Sequence, residues 1–160
     1  MYLIPFMEIF REQAMSETRT LTTPGSPDLP ADSYALVESY CPDPQCDCRR
    51  VMLNVIADRQ GHVATISFGF DRDEEMAGPF LDPLNKQSRY SGVLLSLVTT
   101  VALADPAYVA RLERHYRQVK EAVANPSPDV RQALAKYGVE KEPKTWRRKS
   151  RRNKPNRRKK

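Results

Sequence analysis

Arg50-Val51-Met52-Leu53-Asn54-Val55-Ile56-Ala57, Asp58-Arg59-Gln60-Gly61 and His62-Val63-Ala64-Thr65-Ile66-Ser67-Phe68-Gly69-Phe70 follow one another without interruption. The outer two runs are rich in β-branched and aromatic residues, and the four between them end in a glycine that can take the positive φ of a tight turn. This stretch reads as an antiparallel hairpin over about 50–57 and 62–70. Upstream, Ser33 to Tyr40 is suited to a further strand, with Ala35, Leu36 and Glu38 also compatible with a helix. Before that run, Thr22 to Pro30 holds three prolines and a glycine, which stops regular structure and predicts a loop. Before that loop, Ile4, Met7, Phe10, Arg11 and Ala14 fall at helical spacing and predict a short amphipathic helix.

Downstream of the hairpin, Asp71 to Ser88 combines five acids with Gly78, Pro79 and Pro83 and predicts a structured loop or a broken helical turn. The remainder reads as helical. Tyr90, Val93, Leu94, Leu97, Val98, Val101 and Ala104 form a stripe that Leu95 and Leu103 widen, predicting a buried central helix. Asp105-Pro106 and Ser127-Pro128 each place a capping side chain before a proline at the first helical position. The helix opened by Asp105 carries Tyr108, Leu112, His115, Tyr116, Val119 and Val123 on one face, and Gly138 closes the helix opened by Ser127. The fold expected is α+β: a small antiparallel sheet packed with C-terminal helices over residues 1–139.

Charge divides the chain at the same place. Residues 141–160 hold twelve Lys or Arg and one acid, a net of +11, which leaves residues 1–140 at −5 within an overall +6. The basic character belongs to the tail, and a mildly acidic body is the wrong sign for coating nucleic acid with its folded surface. Apart from Trp146, the segment 140–160 lacks the apolar side chains that would offset its ordering entropy, so disorder is expected there. Its cations can neutralise phosphates without a fixed conformation, and Trp146 can stack on an unpaired base. The candidate nucleic-acid-binding residues are Trp146, Arg147, Arg148, Lys149, Arg151, Arg152, Lys154, Arg157, Arg158, Lys159 and Lys160, and the partners expected are RNA, DNA or a ribonucleoprotein. A solubilising tail is the alternative.

The longest uncharged, proline-free apolar stretch, Ser91 to Ala104, has fourteen residues, short of the roughly 20 that a bilayer requires. The opening Met1 to Glu8 has no cationic start, and carries Pro5 and Glu8, which is wrong for a secretory signal. A cytoplasmic location is therefore expected. In a reducing compartment, an odd and tight set of cysteines reads as metal ligation before disulfides. Cys41, Cys46 and Cys48 form C-x4-C-x-C, with Pro42 and Pro44 stiffening the longer arm and Arg49 and Arg50 directly beyond. Three thiolates around a divalent cation leave a charge of −1 that the arginines can balance. A structural zinc is expected on Cys41, Cys46 and Cys48. His62 belongs near the hairpin turn, far from Cys48, so His115, on the inward face of its helix, is preferred as fourth ligand. Asp71 or a water is the alternative, and a hydrogen-bonded core histidine is the other reading of His115.

Cys46-Asp47-Cys48 resembles the opening C-x-C of the SEC-C zinc modules, which are appended to bacterial proteins that handle other macromolecules. The chain departs from that pattern in lacking its second Cys-Cys or Cys-His half and its glycine-lysine linker, and in adding Cys41. The longer string from Tyr40 to Val51, with Phe70-Asp71 and Gly78-Pro79-Phe80-Leu81-Asp82-Pro83-Leu84-Asn85, resembles uncharacterised bacterial proteins with clustered cysteines over most of residues 1–125. That resemblance implies a family and no activity. No nucleophile elbow, phosphate-binding glycine loop or H-E-x-x-H helix is present. The reading is a zinc-stabilised binding or accessory protein, and the alternative is a zinc hydrolase using the cysteines with the acidic loop 71–82.

Overall fold

The computed structural model describes residues 2–139. The basic tail, with every candidate nucleic-acid contact from Trp146 to Lys160, lies outside the described residues. At the centre of the fold is the hairpin, β4 (Arg50–Ala57) and β5 (Gly61–Gly69), with Leu53 opposite Ile66 and Val51 opposite Phe68. Gly61 takes φ +71 where the turn closes, a conformation that costs a residue without Cβ little. β3 (Asp32–Tyr40) pairs antiparallel with β4 along its length. The other edge of β3 is shared. β1 (Ile4–Pro5) pairs with its C-terminal end, and β2 (Arg19–Thr23) with its N-terminal end. β6 (Phe80–Leu81) adds to β5, completing a six-stranded antiparallel sheet of order β1-β3-β4-β5-β6 with β2 beside β3.

The alternation of β3, β4 and β5 gives the sheet one apolar face. Tyr34, Leu36, Tyr40, Val51, Leu53, Val55, Ala64 and Ile66 are all buried there, in register with one another. α4 (Pro106–Ala124) packs on β3 and β4, burying the face anticipated from its spacing, Tyr108, Leu112, His115, Tyr116, Val119 and Val123. Its start is capped as expected: the Asp105 carboxylate accepts from Ala107 N at 3.0 Å, with Pro106 in the first turn. α5 (Pro128–Lys136) repeats the arrangement with Ser127, and Gly138 turns the chain away at φ +69. The fold is α+β.

Four local expectations are corrected. The N-terminal helix over 4–14 is broken into β1, α1 (Phe6–Ile9) and α2 (Arg11–Glu17), because Ile4 and Pro5 complete the edge of β3 and Phe10 leaves helical geometry at φ −125, ψ 61. With the break, Phe6 and Ala14 both turn inward. The loop expected from Thr22 begins two residues later, since Thr22 and Thr23 pair with Ser33 and Asp32 in β2. The loop 71–88 contains β6. The central helix is amphipathic rather than buried all round: Leu94, Val98 and Ala102 are enclosed, whereas Val93 and Val101 are 39 % and 44 % exposed. It is α3 (Ser91–Leu97) followed by a π-helical turn, Val98–Ala102, in which Leu103 N reaches back five residues to Val98 O. Among the described residues no single helix is long and apolar enough to cross a membrane.

Candidate metal centre

The cysteine segment is the connection between β3 and β4. Tyr40 ends one strand, Arg50 begins the next, and the nine residues between must reverse the chain at one end of the sheet. Asp43-Pro44-Gln45-Cys46 supplies the reversal as a turn: Cys46 N donates to Asp43 O at 3.2 Å, and Gln45 N donates to the Asp43 side chain at 2.9 Å. Asp at the first position and Pro at the second suit such a turn, because one accepts locally and the other presets φ. Arg49, at φ 37, then swings the chain into β4, held by its carbonyl accepting from Phe70 N at 2.9 Å and by its guanidinium on Asp71.

This path brings the three thiols together. The ligand atoms of Cys41, Cys46 and Cys48 all lie within 4.8 Å of one another, with Cys41 buried and the other two half-buried. Sulfurs on a tetrahedral zinc at about 2.3 Å are separated by about 3.8 Å, so a small contraction suffices to hold the ion. Among the described residues this is the one group of three or more His, Cys, Asp or Glu that could hold a metal. The cysteine expectation therefore stands as a candidate metal site, with the ion's identity open.

Lys120 anchors the turn. Its ammonium donates to Asp43 O and Cys46 O, both at 2.6 Å, and lies over the Tyr116 ring at 5.4 Å. The sequence reading overlooked it. Its signal was position, four residues beyond Tyr116 on the helix from which His115 had been drawn. Lys120 also brings a positive charge next to the thiols. The Cys46 thiol is held below its usual range, chiefly by the Cys48 backbone N–H, with Lys120 contributing. Burial, with the neighbouring thiols, pushes Cys48 up to about 12. Full ionisation of the trio thus requires a cation, and metal uptake must displace protons, that of Cys48 among them. Acid favours the thiols over the metal, so zinc affinity should fall with falling pH, by at least about tenfold per pH unit near neutrality for the Cys48 proton alone. Competition with a chromophoric chelator at several pH values measures this.

His115 is not part of the cluster, which corrects the preferred fourth ligand. Its Nδ1 faces Glu38 Oε2 at 2.7 Å and its Nε2 faces Glu17 Oε2 at 2.6 Å, while the ring stacks on Phe6 with centroids 4.1 Å apart. With a carboxylate oxygen on each nitrogen, neither is left to bind an ion. It is a core histidine after all, with carboxylate partners. Glu38 also accepts from the Tyr40 hydroxyl at 2.7 Å, and Glu17 from Arg114 at 2.9 Å, so α2, β3 and α4 are joined through one imidazole. The other named groups are engaged elsewhere. Asp71 pairs with Arg49 at 2.8 Å, Glu74 lies 3.7 Å from Arg50, Asp82 accepts from Leu84 N and Asn85, and His62 bonds Thr65 beside the hairpin turn.

No protein-family model, curated protein or solved structure matches the chain. The geometry of the site is what bears on function. A cavity of about 440 Å³ adjoins it, lined by Cys41, Pro42, Asp43, Cys46 and, from the other end of the chain, Gly138 and Val139. The last described residues thus stand beside the thiols.

Proposed function

We propose that the chain is a zinc-stabilised binding protein that docks on nucleic acid or a ribonucleoprotein through its basic tail. The observation that carries the metal half is the convergence of three thiols within 4.8 Å on a turn fastened by Lys120. Zinc, a borderline-soft ion suited to thiolates, fits the donor set best, and neither Asp71 nor His115 is free to complete it, since both are committed elsewhere. The resemblance of Cys46-Asp47-Cys48 to the SEC-C opening supports the same ion. Its role is structural: it holds the connection between β3 and β4 next to α4 and beside the point where the tail begins.

The tail half rests on composition: twelve cations and one acid over 141–160, with Trp146 among them. Its binding should be electrostatic. Each phosphate neutralised contributes about −0.9 to the slope of log K against log salt on duplex, or about −0.7 on single strands, with slight sequence preference. Full-length protein and a chain ending at Lys141 should be compared on RNA and DNA across salt, and by sedimentation with ribosomes. The full chain is expected to bind with a steep slope and the shortened chain to lose binding. Equal binding by both would refute the role of the tail.

A further inference from the structure

A second cavity, away from the cysteines, is larger than the one beside them. It has a volume of about 620 Å³ and lies where the end of β5, the following loop and the start of α4 converge. That size falls within the range of small-molecule sites. Its apolar lining is partly aromatic: Phe68 and Phe70, edge-to-face with ring centroids 6.0 Å apart, and Val109 and Ala110 of α4. Two backbone features hold it open. A Cβ on Gly69 would stand 3.1 Å from Ala77 Cα, and one on Gly78 would stand 2.8 Å from Ser67 O, so glycine at both lets the loop lie flat against β5 as a wall. Opposite, the π-helical turn at Val98–Ala102 ends where Leu103 and Ala104 form the rim, an irregularity that recurs at functional sites.

The charges at the rim select among ligands. Arg72 and Arg117 line the cavity, and neither forms an ion pair among the described residues. Glu113 is the one acid lining it. The nearby acids Asp71 and Glu74 are turned to Arg49 and Arg50. The lining therefore carries one net positive charge beside its apolar and aromatic side chains. We propose that this cavity binds a small monoanion with a flat apolar body, an aromatic carboxylate, its ring on Phe68 and Phe70 and its carboxylate on Arg72 and Arg117. The proposal is independent of the metal and of the tail.

The test uses full-length protein with 2-naphthoate, its uncharged analogue naphthalene-2-carboxamide, and acetate as an anion without a body. Titrations followed by amide NMR shifts should show saturable naphthoate binding with a Kd of about 1 mM or tighter, at least about tenfold tighter than the amide, with acetate inert. Shifts should centre on Phe68, Phe70, Val109 and Ala110. R72Q/R117Q should bring naphthoate down to the affinity of the amide, and A110W, which adds bulk at an exposed helix position lining the cavity, should abolish both. Circular dichroism and melting confirm that the variants fold. Equal affinity for acid and amide, unchanged naphthoate binding by A110W, or no saturable naphthoate binding would each overturn the proposal.

Discussion

Cys41→Ser is expected to reduce bound zinc from about one equivalent to below about a tenth, and with it the resistance of the fold to heat. Cys41 is the informative position because it is 3 % exposed at the end of β3, and serine keeps its size. What is lost is then chiefly the metal rather than packing. A ligand bound only by the folded state stabilises it by about 2.7 kcal/mol when free at 100 times its Kd. In a body of this size that corresponds to roughly 10 °C in melting temperature. Chelator should lower the midpoint of the natural chain by about that amount and leave Cys41→Ser unchanged. His115→Gln should retain full zinc, because both nitrogens of His115 already face carboxylates. Identical melting with and without chelator would remove the structural metal from the account, and zinc loss in His115→Gln would restore His115 as a ligand.

The second large effect concerns that histidine. His115 is 1 % exposed and Glu38 6 %, so removing one partner takes a hydrogen bond from a buried polar group of the other. His115→Leu and Glu38→Leu should each cost about 1–3 kcal/mol, whereas the double variant should cost less than the sum by about 1 kcal/mol or more, because two apolar residues are tolerated where one buried polar group without its partner is not. Urea unfolding of all four proteins completes the cycle, with Glu38→Gln as a milder variant if Glu38→Leu does not fold. Additive costs would show that the pair is not the unit. Glu17 adds a pH signature. Burial raises its carboxyl, but the hydrogen bonds from His115 and Gln13 outweigh this and hold it below its ordinary 4.5. A carboxyl depressed on folding contributes stability that is present above its unfolded value and lost as pH falls through the folded one. Glu17→Gln should therefore match the parent most closely in acid and fall behind it above about pH 5.

The sequence by itself determined the hairpin, α4 and α5, whose signals are local. The hairpin followed from β-branched alternation around Gly61, and α4 and α5 from side-chain caps before prolines, because these preferences act within a few residues and need no partner. The buried face of α4 followed too, since helical spacing alone selects it. The grouping of the three cysteines was legible from their closeness in the chain and from the prolines between them. Tertiary structure decided what depends on residues far apart. Ile4 and Pro5 join the sheet because β3 offers an unpaired edge there, which a helical pattern in the first fourteen residues cannot disclose. Glu38 carried a partial sign, an acid in phase with Tyr34, Leu36 and Tyr40, yet its partner lies 77 positions away. Whether His115 turned to thiols or to carboxylates was beyond the reach of its helical phase, which names an inward direction but not what waits there. Two carboxylates reached its nitrogens first, and the lysine one turn further on reached the cysteine loop, because the crossing of α4 over β3 and β4 sets which side chains meet.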